Sequence, residues 1–109
     1  MKQRLGIGLL IAGVAAIIYF VTRKQQWTPG TPRPAPSNGV GDVNMDGFVD
    51  AHDVDAVERI ILGLPDLATG LPYTSEQLRR ADANGDGAVD IGDVVAIERY
   101  YTGATNTLP

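Results

Sequence analysis

The stretch DVNMDGFVDAHD, Asp42 to Asp53, returns forty positions later as DANGDGAVDIGD, Asp82 to Asp93. Aspartate or asparagine holds the first, third, fifth, ninth and twelfth places of both stretches, and glycine holds the sixth. The likeness continues downstream: Asp42–Gly63 and Asp82–Gly103 share twelve of twenty-two residues, so internal duplication is the simplest account. Five acidic or amide side chains converging within a dozen residues repel one another unless a cation lies among them.

The spacing is that of a calcium loop of the EF-hand kind, with ligands at positions 1, 3, 5, 7, 9 and 12, the seventh a backbone carbonyl. In the first loop these are Asp42, Asn44, Asp46, the carbonyl of Phe48, Asp50 and Asp53. In the second they are Asp82, Asn84, Asp86, the carbonyl of Ala88, Asp90 and Asp93. Calcium is a hard ion that accepts about six to eight oxygens, which suits this donor set, and magnesium demands a tighter octahedron and keeps its waters. Asx-rich turns without metal would explain one such loop, but two complete sets favour two calcium ions. Gly47 and Gly87 sit where the loop turns most sharply. Position 12 is aspartate instead of the usual glutamate, a shorter arm that draws the following helix toward the ion.

Apolar periodicity places a helix after each loop. Asp53–Leu62 carries Val54, Val57 and Ile61 on one face and stops at Gly63; Asp93–Thr102 carries Val94, Ile97 and Tyr101 and stops at Gly103. A short helix is expected over Thr74–Ala81, with Thr74 and Gln77 spaced as a capping box and Leu78 facing inward. Val49 and Val89, eighth in each loop, are expected to pair as short strands across a pseudo-twofold axis. No helix enters the first loop, because a Pro- and Gly-rich stretch runs straight into it. The fold class is all-α: two calcium loop-helix units with an intervening short helix, preceded by one transmembrane helix and a Pro-rich linker. With no cysteine and a small core, such a domain needs metal as its staple, so folding and calcium binding are expected to be coupled.

The membrane expectation rests on Leu5–Val21, seventeen residues without a charge, after a basic start over residues 1–4. At 1.5 Å per residue the run spans roughly 26 Å, near the thickness of a bilayer core. Arg23 and Lys24 close it, with Tyr19, Phe20 and Trp27 close by, and no small-residue cleavage site follows as a signal peptide would require. A transmembrane helix is assigned to residues 5–22, and a Pro-rich linker to 23–41. The four prolines between Thr28 and Gly41 suggest a polyproline spacer reaching roughly 40 Å. The calcium-binding domain then occupies 42–104 and a tail 105–109. The α-amino group, Lys2 and Arg4 outnumber Arg23 and Lys24 by one positive charge, so the expected location is the cell membrane, single-pass, with the calcium domain extracytoplasmic.

Charge is segregated along the chain. Residues 1–41 hold five basic residues and no carboxylate, whereas residues 42–109 hold all thirteen carboxylates against four arginines. So acidic a domain repels nucleic acid. There is no cysteine nucleophile or phosphate-cradling loop, and the paired carboxylates are committed to calcium, so no enzyme is expected.

A duplicated DxNxDGxxxxxD loop, each copy followed by a helix and the first lacking an entering helix, resembles the dockerin domain over residues 40–104. The resemblance implies a non-catalytic module that binds a cohesin domain in a calcium-dependent way. It also implies a partner face at loop positions 10 and 11 and helix positions 17 and 18. Here these are Ala51, His52, Glu58 and Arg59, and in the second repeat Ile91, Gly92, Glu98 and Arg99. The helix pair is the same in both repeats and the loop pair is not, which favours one docking orientation. A surface subunit that self-associates, stabilised by calcium, is the alternative.

Overall fold

The structure, a computed structural model, describes residues 27–109. Among them are three helices, α1 (Ala51–Ile61), α2 (Ser75–Ala81) and α3 (Ile91–Tyr101), and two short strands, β1 (Arg33–Pro34) and β2 (Phe48–Val49). No helix among the described residues is long and apolar enough to cross a membrane. The transmembrane helix expected over 5–22 lies outside the described residues.

The repeats build the same local structure twice. Asp50 and Asp90 are N-caps with nearly equal backbone angles, φ/ψ −154/−168° and −149/−169°. Each is joined to the aspartate three places on in a reciprocal capping box, so loop position 9 caps the helix and position 12 lies in its first turn. The helices therefore begin at Ala51 and Ile91, two residues before the expected starts. Gly63 and Gly103, at φ 71° and 85°, end them in the left-handed region that side chains resist.

α1 packs chiefly on α3, and α2 closes against α1. Val43, Val49, Val57 and Ile97 are fully buried between them, with Val54, Val94 and Tyr100 close to it. Several expectations shift by one residue. Ile61 is exposed and Ile60 packs on the core; Tyr101 is half-buried and Tyr100 is buried. In α2 the inward residue is Gln77, not Leu78, which is 40% exposed. Polar chemistry selects it: Gln77 Nε2 donates to the Val43 carbonyl at 3.1 Å and to Asp66 Oδ2 at 3.2 Å, joining the inter-repeat connection to the first loop.

The expected pairing of Val49 with Val89 does not occur. β2 pairs antiparallel with β1, Arg33 opposite Val49 and Pro34 opposite Phe48, so the Pro-rich segment takes the edge that Val89 was assigned. Nor are residues 28–41 a free spacer. Gly30 N–H donates to the Tyr101 carbonyl at 2.8 Å and Ala35 N–H to that of Gly47 at 3.0 Å, and the Tyr100 hydroxyl donates to the Pro34 carbonyl at 2.9 Å. Arg33 lies between two rings, 4.3 Å from the centroid of Trp27 and 4.1 Å from that of Tyr100. Its Nη1 donates to the carbonyl of Tyr100, in the last turn of α3, and to that of Thr105 just beyond the helix end, where the helix dipole favours a cation. The expected tail is also packed: Leu108 is buried, and a Cβ on Gly41 would stand 2.7 Å from its Cδ1. The packed unit thus takes in both flanks of the duplicated region.

Removing the strap's central cation should be costly. Arg33→Ala is expected to lower the unfolding free energy of the calcium-loaded chain by about 1–3 kcal/mol, the sum of one stacked cation and its charge-assisted hydrogen bonds. Denaturant unfolding checks this, and an unchanged midpoint would show that the strap contributes nothing.

Candidate metal centres

Each loop wraps its aspartates around its own backbone. In the first, Asp42 Oδ2 accepts from Gly47 N–H at 2.9 Å and Oδ1 from Asp46 N–H at 3.1 Å, while Asp46 Oδ1 accepts from Phe48 N–H at 2.9 Å. In the second, Asp82 Oδ2 accepts from Gly87 N–H at 3.0 Å and Asp86 Oδ1 from Ala88 N–H at 3.0 Å. Gly47 and Gly87 reach these positions at φ 91° and 89°. The twelfth-position aspartates close the loops. Asp53 accepts from the N–H groups of Val43, Asn44 and Asp50, and Asp93 from those of Asn84 and Asp90. Both side chains are wholly buried.

Burial at that point is electrically expensive. It pushes the Asp53 carboxyl up to about 7 from an ordinary 3.8; the N–H groups of Asp50 and Asn44 pull it back, and the charges of Asp50 and Asp42 push it further up. Asp93 is raised by the same desolvation, against the N–H groups of Asp90 and Asn84, with Asp82 and Asp90 adding to the rise. Asp42 is raised too, again chiefly by burial. Carboxyls in this state await a proton or a cation.

The second loop fits a cation well. Asp82, Asp86 and Asp93 present carboxylate oxygens within 4.8 Å of one another, and Asp82 Oδ1 is buried without a hydrogen-bond partner. An acceptor sealed from water with no donor is costly, and an ion coordinated by it removes the cost. The available donors are oxygens, the chemistry of calcium and not of zinc or copper. Asn84, the carbonyl of Ala88 and Asp90 are the other ligands expected of this loop. In the first loop the corresponding expected ligands are Asn44, Asp46, Phe48, Asp50 and Asp53 with Asp42, whose carboxyl stands in different surroundings: Arg80 Nη1 lies 3.3 Å from its Oδ2. Sequence reasoning missed Arg80, since nothing local ties it to a residue 38 positions earlier.

The partner-face residues split by repeat. Ala51, His52 and Glu58 are exposed along α1, as are Ile91, Glu98 and Arg99 along α3. Arg59 is half-buried, its Nε donating to the Pro65 carbonyl at 2.8 Å, which braces the turn after α1. Gly92 has a local reason: a Cβ there would come within 2.9 Å of Asn84 Nδ2 and 3.0 Å of Asp90 Oδ1.

A carboxyl raised on folding favours the fold when protonated. Its contribution is complete below the ordinary value of 3.8 and is lost as pH rises through about 7 for Asp53. In calcium-free buffer, helicity by circular dichroism should therefore climb as pH is lowered from 8 toward about 4.5, and saturating calcium should flatten the profile. Helicity that falls over that interval without calcium would contradict the assigned burial of Asp53 and Asp93.

A family model described as the dockerin type I domain matches residues 40–105, which takes in both loops and all three described helices. No curated protein matches the chain. With more than half of its length matched by that model, the chain belongs to the dockerin type I family.

Proposed function

We propose that this chain is a calcium-dependent docking module for a cohesin-like domain, carrying two calcium ions and tethered to a membrane through residues 5–22, with residues 27–109 on the extracytoplasmic side. Family membership carries the reading: a dockerin domain is a non-catalytic interaction module that binds calcium and cohesin. The donor geometry of the second loop supports the metal, and the apolar run Leu5–Val21 with its basic flanks supports the tether.

The surface around the shared Glu-Arg pairs suits a protein partner. Leu62 and Ile91 are 71% and 67% exposed, one after the Glu58-Arg59 turn and the other at the start of α3. Isolated apolar side chains are ordinary on a surface, but these flank the charged positions from which recognition is expected. His52 against Gly92 makes the two repeats unlike at the same place, which favours one docking orientation over two.

One preparation tests the parts of this reading separately. Membrane vesicles from cells making the full chain, washed at alkaline pH to strip peripheral proteins, should capture added soluble cohesin in calcium and release it to chelator. Loss of the chain in the wash sinks the tether. A retained chain that captures cohesin equally with chelator, or captures none, sinks calcium-dependent docking. Substituting Glu58 and His52 together should weaken capture about tenfold more than substituting Glu98 alone, if the first repeat leads; equal effects would point to two equivalent orientations.

A further inference from the structure

The loops are near copies, yet their first ligands stand in different electrostatic surroundings. Asp42, 3% exposed, has both carboxylate oxygens occupied, and one of them faces the guanidinium of Arg80. Asp82 has one oxygen occupied by Gly87 N–H and the other buried without a partner, and no arginine or lysine among the described residues bridges to it.

Arg80 is held in place from several sides. Its Nε donates to Glu76 Oε1 at 3.1 Å, and its Nη1 lies 3.4 Å from the Asp42 carbonyl. Gly39 admits it: a Cβ there would stand 2.6 Å from Arg80 Cζ. The Arg80 carbonyl accepts from Gly41 N–H at 2.8 Å, tying its backbone to the approach to the first loop. The guanidinium side chain is 19% exposed, so water screens it incompletely. Its contact with Asp42, at 3.3 Å, is longer than the 2.7–2.9 Å or so of a tight charge-assisted bond, so it contributes field more than fixation.

The asymmetry is written into the duplication. Arg80 stands two residues before the second loop, and its counterpart two residues before the first is Val40, which is buried and apolar. The helix between the repeats therefore lends a permanent cation to the first loop and none to the second.

On the reading that both loops bind calcium, we infer that they are inequivalent: the second loop fills first, and Arg80 lowers the affinity of the first by setting a fixed positive charge against its leading ligand. A divalent ion entering the first loop meets that charge at close range and shares Asp42 with it. The ion entering the second loop instead satisfies an oxygen that has no other partner. At calcium levels between the two affinities, α3 is anchored to a loaded loop while α1 is not, so the two halves of the domain answer to different concentrations.

The test is a calcium titration of the full chain in detergent, followed by nuclear magnetic resonance at the Gly47 and Gly87 amides, each of which reports its own loop. Gly87 should shift before Gly47, with apparent dissociation constants about tenfold or more apart, as a partly screened charge at this range implies. Arg80→Gln should tighten the first loop about tenfold and leave the second within about twofold, and Arg80→Lys should behave as the unaltered chain. Simultaneous filling in the unaltered chain, or filling of Gly47 first, overturns the inference without needing any variant to fold. A first loop that weakens in Arg80→Gln also overturns it, by showing that the arginine organises the site instead of opposing the ion. Binding at neither loop would remove the calcium reading itself, an outcome distinct from equal binding at both.

Discussion

Burying an ionised carboxylate costs on the order of several kcal/mol unless something answers its charge, and this fold buries two of them at matching places. Asp53 and Asp93 each sit in the first turn of a helix with no exposure, accepting N–H groups from the loop that leads into it. Backbone hydrogen bonds answer part of the cost, yet both groups remain raised, so the balance must come from a proton or a cation. Because the same aspartate closes the loop, completes a capping box and begins the helix, whatever satisfies its charge also sets the helix. α1 and α3 then present the valines and isoleucine between which the core forms. Metal, helix start and core are thus one constraint expressed at three levels.

Around that duplicated frame the chain adds features found once. A strap of residues 27–41 crosses the end of α3, held by Arg33 between Trp27 and Tyr100, and Leu108 comes in from the other terminus beside Gly41. A domain of this size has little apolar area to bury and no disulfide, so enclosing both flanks adds core where the repeats supply too little. Where residues 1–26 lead into Trp27, they enter a segment already packed on the domain and not a loose linker.

What the sequence made legible was what short-range chemistry decides. The turn glycines at 47 and 87, the helix stops at 63 and 103 and the Thr74–Gln77 capping box each depend on near neighbours in the chain, and the structure places them as read. Distant competition decided the rest. Val89 lost its expected partner because β1, a segment with two residues in register, pairs with β2 in its place. Leu78 lost the inward place because Gln77 could reach a carbonyl in the first loop, and a buried carbonyl without a donor is worse than an exposed leucine. The strap read as a spacer because four prolines suggest polyproline, although an edge strand tolerates proline where no N–H is needed. Arg80 carried no local signal at all, since its role appears only when the two repeats are folded against each other.

The central claim is that the charge of Asp53 and Asp93 links metal to helix. Far-ultraviolet circular dichroism of the full chain at pH 7.5, first with excess chelator and then with excess calcium, tests it directly. The account predicts that calcium adds helix signal equivalent to most of α1 and α3 and raises the unfolding temperature; identical spectra and identical unfolding in both conditions would contradict it.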